Sequence, residues 1–267
     1  MSIKHKSHEE YWQDVFPRLQ TYLDSETKQD IKDIIFTCLA FYGYLTEDIG
    51  QKIRKNQAVS PKLDLFLIFA FDQLRAALVL YENLNLSPLA ISARATFENS
   101  VSIHFITSNA DSAKYADLYH RYKDIVRLKA HRNSLILPPL TEPEINIIKA
   151  SCPEWFLPDG KLKKNPHWTA IDGMSFEQLV NQVGMKDYYS IYRTTSQFVH
   201  ASPITVNMYK GPKGMGAIAL EKRSKEFALL VCIFSLETLK DYLLFFDVEF
   251  DQGYFLGLMK KLNELSQ

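Results

Sequence analysis

The sequence predicts an all-α protein, a helical bundle with a long irregular insertion between two core helices. Apolar residues recur at intervals of three and four along most of the chain, which is the spacing of one helix face. No alternating polar and apolar stretch of useful length, and no internal repeat, is found in the sequence. Ser-Pro pairs at 60–61 and 87–88 are strong helix starts, because Ser can cap a helix and Pro is tolerated in its first turn.

Composition narrows the class of protein further. With 267 residues, of which 46% are hydrophobic, the chain can bury a substantial core, and no cofactor is needed to explain its folding. Lys and Arg together number 31, as do Asp and Glu, so no overall field attracts nucleic acid or an anionic membrane. The three cysteines form no C-x2-C pair, which argues against a disulfide framework or a zinc site. We expect a cytoplasmic protein that holds no metal and no cofactor.

The first 58 residues are predicted to form a helical segment that packs on a main bundle of residues 59–267. Residues 9–23 have the apolar spacing of a helix, and a second helix is expected to begin near Asp24 or Ser25. The N-terminus lacks the apolar core of a signal peptide. We expect the two parts to form one compact unit.

Two later runs, 63–80 and 227–246, are apolar enough to be compared with membrane spans. Each contains three charged residues, which are costly inside a bilayer. Both are therefore predicted to be buried helices, the second as part of a long helix over 224–246, and no membrane association is expected. A shorter amphipathic helix is predicted over 251–265.

The helix that follows Ser87-Pro88 carries polar groups among apolar ones. Arg94 and Glu98 are four residues apart and can pair along one face. Their apolar flanks suggest burial, where either charge alone would be expensive. The pair is either an internal salt bridge that pins two helices or part of a site. The next helix, 110–135, has a row of tyrosines and many basic residues, which form a solvated face or a phosphate-contacting surface.

The insertion covers residues 136–174. Prolines, an Asp-Gly turn signal and a lysine cluster interrupt helical spacing there, apart from a short helix over 142–150. The irregular part carries Trp155, His167 and Trp168, and we expect it to lie over a pocket of the bundle. Ser175 and Gln178 form a capping box that predicts a further helix. The glycine-rich run 209–219 lacks a phosphate-loop pattern and is predicted to be a hairpin or a flexible loop.

The stretch 186–203 has the most ordered arrangement of polar residues in the chain. Arg193 and His200 are seven positions apart, so a helix places them on one face, about 10 Å apart along its axis. Ser196 lies between them. The helix is expected to end just past His200, because Pro203 follows closely. A His there is either a cap or core residue, or a group that transfers protons.

If the helices of Arg94 and Arg193 face each other, their side chains form a site suited to phosphodiester chemistry. Arg193 would bind a phosphate, and His200 would take or give a proton near neutral pH. Glu98 and Arg94 would complete the site, with Ser196, Tyr119 and Tyr192 as further donors. RNA is the preferred substrate, because its 2′-hydroxyl is the nucleophile and no metal is then required.

Several motifs resemble known families. The R-x3-E of ARATFENS, a W-T pair and Y-x2-Y-x3-S-x3-H-x-S-P (189–203) resemble a bacterial all-helical family known as domain of unknown function 5677, over roughly 63–246. That resemblance implies the fold and little else. The Arg-x6-His spacing is also similar to that of HEPN helical ribonucleases, which act in toxin–antitoxin and phage-defence systems. This second resemblance implies that Arg193 contacts phosphate, that His200 is the acid or base, and that two protomers combine their motifs.

Two functions are therefore open. The first is a metal-independent endoribonuclease, a toxin or defence effector that acts on RNA as a homodimer and has a cognate inhibitor or partner protein. The alternative is a non-catalytic helical module that binds a protein partner or a small ligand, in which the polar cluster is structural.

Overall fold

The computed structural model describes residues 26–52, 60–132, 139–164, 166–199, 210–211, 214–215 and 217–266. The predicted helix over 9–23 lies outside these ranges. The α-helices are α1 (Glu26–Lys52), α2 (Ser60–Glu82), α3 (Leu86–Ser108), α4 (Ser112–Arg132), α5 (Glu142–Ser151), α6 (Phe176–Gln182), α7 (Tyr189–Val199), α8 (Ala217–Phe245) and α9 (Gln252–Ser266). Within these ranges, the extended structure consists of β1 (Lys210–Gly211) and β2 (Gly214–Met215), which pair antiparallel, and one isolated bridge. The all-α prediction is confirmed.

The centre of the bundle is formed by α2, α3 and α8, which pack against one another. Helix α3 is buried along most of its length, including its hydroxyl-bearing residues. Thr96 and Ser102 donate their hydroxyl protons to carbonyls one turn earlier in the same helix, at 2.8 Å each. Ser92 donates instead to the Gln73 side chain of α2, at 2.6 Å. Because these three hydroxyls have hydrogen-bond partners within the protein, α3 can be buried there on several sides without leaving them unpaired.

The remaining helices surround this centre. Helix α1 packs on α2 and α8, and the Tyr42 hydroxyl donates to the Leu67 carbonyl of α2 at 3.1 Å. Helix α9 packs on α8, while α4, α6 and α7 pack on α3. These contacts place α3, with Arg94 and Glu98, between the other two central helices and the outer helices α4, α6 and α7.

Most helix boundaries agree with the sequence signals. Helix α2 begins at Ser60, and the Ser175–Gln178 capping box before α6 is present with both hydrogen bonds. Within the glycine-rich run, β1 and β2 pair antiparallel, as in a hairpin, and residues 217–219 already belong to α8. Helix α8 begins at Ala217, seven residues before the predicted start at Ser224. Ser224 is buried within the helix and does not cap it, so this predicted start was wrong.

The insertion has more structure than its irregular sequence suggested. Helix α5 is capped by Thr141 and Glu144, and a single 3-10 turn, Pro153–Trp155, follows. A second hydrophobic cluster forms where the insertion packs on α4, with Trp155 completely buried in it. Apolar side chains of α4 and α5, together with Leu140 and Cys152 beside α5, supply the rest of this cluster, which is why the segment is ordered without long helices.

None of the helices in the described ranges is long and apolar enough to span a bilayer.

Candidate functional site

A pocket of about 710 Å³ lies between α2, α3, α4, α6, α7 and the insertion, and we call it the aromatic pocket. Its polar lining comes from Glu98, Asn99, Ser102, Lys123 and His167. Seven aromatic side chains line it: Phe66, Phe69, Tyr119, Tyr122, Trp168, Phe176 and Tyr192. Concave pockets with aromatic walls and a few convergent polar groups are typical of small-molecule sites.

The aromatic walls are ordered by contacts between rings. The ring centroids of Phe66 and Tyr119 are 4.5 Å apart, and those of Tyr119 and Trp168 are 5.2 Å apart in an edge-on arrangement. Phe176 and Tyr192 are 4.5 Å apart on another side. Such pairs are each worth about 0.5–1.5 kcal/mol beyond burial. Since Trp168 belongs to the insertion, the insertion lies over the pocket, as the sequence suggested.

Arg94 and Glu98 form the predicted pair at the edge of the pocket. Arg94 Nε donates to Glu98 Oε1 at 2.9 Å, and the two side chains are 19% and 41% exposed. Arg94 Nη2 also donates to the Tyr192 hydroxyl at 3.1 Å, with the guanidinium 4.7 Å from the centroid of that ring. Arg94 therefore joins α3 to α7. The sequence alone could not establish this link between the two polar helices.

Glu98 and Tyr119 are two of the pocket residues with a polar atom that is not hydrogen-bonded to any described residue. Within the described ranges, the second carboxylate oxygen of Glu98 and the hydroxyl of Tyr119 have no hydrogen-bond partner. Burial, with a smaller effect of the Glu98 charge, raises the pKa of Tyr119 to about 12. Tyr119 is therefore protonated at neutral pH and can donate a hydrogen bond. Glu98 and Tyr119 therefore offer the pocket an acceptor and a donor that are close enough to influence each other electrostatically.

His167 is a further polar group that the sequence placed in the insertion without a role. Its Nδ1 accepts from the backbone N–H of Thr169 at 3.4 Å and lies 3.0 Å from the hydroxyl of the same residue. Burial lowers the pKa of His167 to about 4, so the ring is neutral at neutral pH. Because Nδ1 is an acceptor, we assign the ring proton to Nε2. The neutral ring is a donor in the pocket lining rather than a charged group.

Two of the basic residues of α4, Arg121 and Arg127, are paired with acids. Arg121 Nε donates to Asp117 at 2.6 Å, and its terminal nitrogens hold both oxygens of Glu154 at 2.8 and 2.9 Å. Arg127 donates to Glu144 at 3.0 Å. Glu144 and Glu154 belong to the insertion, so these pairs fasten it to α4. This arrangement favours a structural role for Arg121 and Arg127.

The predicted stripe on α7 divides between two environments. Tyr192 faces the aromatic pocket, whereas the next residue, Arg193, is exposed to solvent. Ser196 donates its hydroxyl to the Tyr192 carbonyl at 2.6 Å and so is engaged with its own helix. His200 lies outside the described residues. The structure brings together Arg94, Glu98, Tyr119 and Tyr192, but it does not bring Arg193 or Ser196 into this group.

In the part of the chain that the structure describes, no group of three His, Cys, Asp or Glu side chains could hold a metal ion.

The family described as "Family of unknown function (DUF5677)" has a model that matches residues 65–215, which is more than half of the 267 residues. The chain belongs to the DUF5677 family. Every residue that lines the aromatic pocket, from Leu65 to Tyr192, falls within the region matched by the DUF5677 model. A comparison with curated proteins and another with solved structures each gave no match.

Proposed function

We propose that this protein is a ligand-binding helical module whose aromatic pocket takes a planar molecule with a cyclic-amide edge. One observation carries the proposal: the unused Glu98 oxygen and the unused Tyr119 hydroxyl lie in a pocket that is otherwise mostly aromatic. A cyclic amide presents an N–H donor beside a carbonyl acceptor. The N–H suits the Glu98 carboxylate, the carbonyl suits the Tyr119 hydroxyl, and the flat ring stacks on the aromatic walls.

The charge balance at the pocket favours an uncharged ring over a cation. An aromatic cage with one free carboxylate is a common arrangement for a cationic amine. Here Arg94 already pairs with Glu98 and occupies a position over the Tyr192 ring. The guanidinium of Arg94 thus supplies the positive charge that Glu98 and the aromatic walls would otherwise attract from a ligand.

The proposal is tested by calorimetric titration with nucleosides. Guanosine and uridine carry a cyclic amide, whereas adenosine does not, so we expect the first two to bind more tightly. Glu98→Gln replaces an acceptor oxygen by a donor and should weaken their binding by about tenfold, the loss of one useful hydrogen bond. Glu264→Gln is the matched control, because Glu264 also belongs to an i,i+4 pair, with Lys260 on α9.

Two outcomes would contradict this function. One is that neither guanosine nor uridine binds to the folded protein. The other is that both bind equally well to the Glu98→Gln and Glu264→Gln variants.

An endoribonuclease is the second candidate, and one observation favours it. The exposed Arg193 makes no ion pair within the described ranges, so its guanidinium is accessible to a phosphate. In this function His200 transfers the proton, Arg193 binds the phosphate, and two protomers combine their motifs. Purified protein should then cleave RNA in excess EDTA and leave 2′,3′-cyclic phosphate ends.

His200→Ala should abolish this cleavage, while Gln197→Ala, on α7, should not. The absence of cleavage by folded protein, as monomer and as dimer, counts against the endoribonuclease.

A further inference from the structure

A second pocket, of about 780 Å³, lies beside the aromatic pocket, and we call it the lysine pocket. Lys129 of α4 and Lys163 and Lys164 of the insertion line it, with the buried Trp155 at its back. Asp172 is the one carboxylate in its lining, so three lysines and one aspartate leave a balance of +2. A concave surface of one sign concentrates ions of the opposite sign.

Lys129 is a partly buried cation of this pocket without a counter-ion in the described part of the chain. No carboxylate within the described ranges pairs with it, and its amine lies 5.9 Å from the centroid of the Tyr122 ring. Burial lowers the pKa of Lys129. An amine that is partly removed from water and has no counter-ion is stabilised when an anion binds beside it.

Lys163 can exchange its partner for a ligand. Its amine pairs with Asp172 at 2.6 Å, but the Asp172 side chain is 80% exposed. An ion pair with so exposed a member contributes little to stability. Lys164 is exposed to solvent at the mouth of the same pocket, where it can approach a bound group.

The two pockets share one wall. His167 lines both of them. The Tyr122 hydroxyl, from the aromatic pocket, donates to the carbonyl of Pro166, which lines the lysine pocket, at 2.7 Å. The two pockets are therefore adjacent, and a ligand that passes over His167 contacts both.

We propose that the lysine pocket binds a phosphate group, and that this phosphate belongs to a nucleotide whose base occupies the aromatic pocket. The second part rests on the proposed ligand-binding function. Lysine amines bind phosphate as point charges, and the neutral His167 adds a donor between the two sites. The aromatic pocket, with its contacts for a cyclic amide, suits the base of a nucleotide. The lysine pocket suits its phosphate.

The test compares guanosine, guanosine 5′-monophosphate and pyrophosphate in calorimetric titrations of the full chain. We expect the monophosphate to bind at least about tenfold more tightly than guanosine. Lys129→Met and Lys164→Met keep the aliphatic stem and remove the charge, so they should reduce this advantage without changing guanosine affinity. Lys260→Met is the matched control, because Lys260 is exposed on α9. If Lys129→Met does not fold, the exposed Lys164 provides the variant.

The outcomes separate the two proposals. Equal affinity for guanosine and its monophosphate, unchanged in both lysine variants, overturns the phosphate site and leaves the aromatic pocket's function intact. Pyrophosphate binding that Lys129→Met weakens, without binding of guanosine or its monophosphate, supports the phosphate site and overturns the nucleotide assignment together with the proposed function.

Discussion

Arg94 depends on Glu98 for much of its hydrogen bonding. Its Nη1 is buried without a partner within the described ranges, so the side chain relies on Glu98 and on the Tyr192 hydroxyl. Glu98→Ala should therefore lower the free energy of unfolding by about 1–2 kcal/mol, measured by urea titration. Glu264→Ala, which removes an exposed partner, should cost no more than about 0.5 kcal/mol. Equal losses in the two variants would show that Arg94 does not need its counter-ion.

His104 makes stability depend on pH. Its Nδ1 lies 2.9 Å from a carboxylate oxygen of the buried Asp241, which joins α3 to α8. This hydrogen bond raises the pKa of His104 above its usual 6.5, against the opposing effect of burial. Because the folded pKa is the higher one, the pair stabilises the fold fully below the unfolded pKa, and this stabilisation is lost as pH rises through the folded value.

The measurement is the difference in Tm between wild type and His104→Gln as a function of pH. We expect a larger difference at about pH 6 than at about pH 8.5. In an Asp241→Asn background the difference should no longer decrease as pH rises, because burial of His104 then acts without the opposing carboxylate. With Asp241 present, a difference that grows with pH would contradict the assignment of the pair.

At the scale of elements, the insertion has its own small core, so it should have its own stability. Trp155 is fully buried there, and its indole N–H donates to the His167 carbonyl at 2.7 Å. Trp155→Phe leaves that carbonyl without its donor and should cost about 1–3 kcal/mol locally. Hydrogen exchange should accelerate over 139–175 while α3 and α8 keep their protection.

Leu157→Ala is the control for this variant, because Leu157 is exposed and its truncation should leave exchange unchanged. Uniform acceleration across the bundle in Trp155→Phe would instead show that the insertion and the centre unfold as one unit.

The sequence predicted best those features that depend on neighbouring residues. The start of α2 at Ser60, the capping box at Ser175 and the pair of Arg94 with Glu98 each depend on contacts within about one helical turn. The start of α8 was predicted too late. Glycines, which are poor helix formers, precede Ala217, so the good helix formers that follow them were not assigned to the helix.

Which residues form the site depends on long-range packing. The spacing of residues along the chain does not predict that packing. Adjacent residues of a helix differ by about 100° in direction, so Tyr192 and Arg193 could not both face α3. Packing turned Tyr192 inward and left Arg193 in solvent. His167 carried no sequence signal beyond its place in the insertion, since its neutral state follows from burial in the folded chain.

At the scale of the whole molecule, the aromatic pocket exists only when distant parts of the chain meet. The bundle supplies Glu98 from α3 and Tyr119 from α4, and the insertion supplies Trp168. The central hypothesis is that Glu98 and Tyr119 together read the polar edge of a planar ligand. It requires the Tyr119 hydroxyl itself, in addition to the ring that packs on Phe66 and Trp168.

Calorimetric titration of guanosine into Tyr119→Phe therefore tests the hypothesis most directly, because this variant keeps the ring and removes only the hydroxyl. Tyr115→Phe is the matched control, since Tyr115 lies one turn earlier on α4 and packs on Phe105 away from the pocket. We predict that Tyr119→Phe weakens guanosine binding by about tenfold and that Tyr115→Phe leaves it unchanged. Equal affinities of the two variants for guanosine, or no binding of guanosine to the wild-type protein, would contradict the hypothesis.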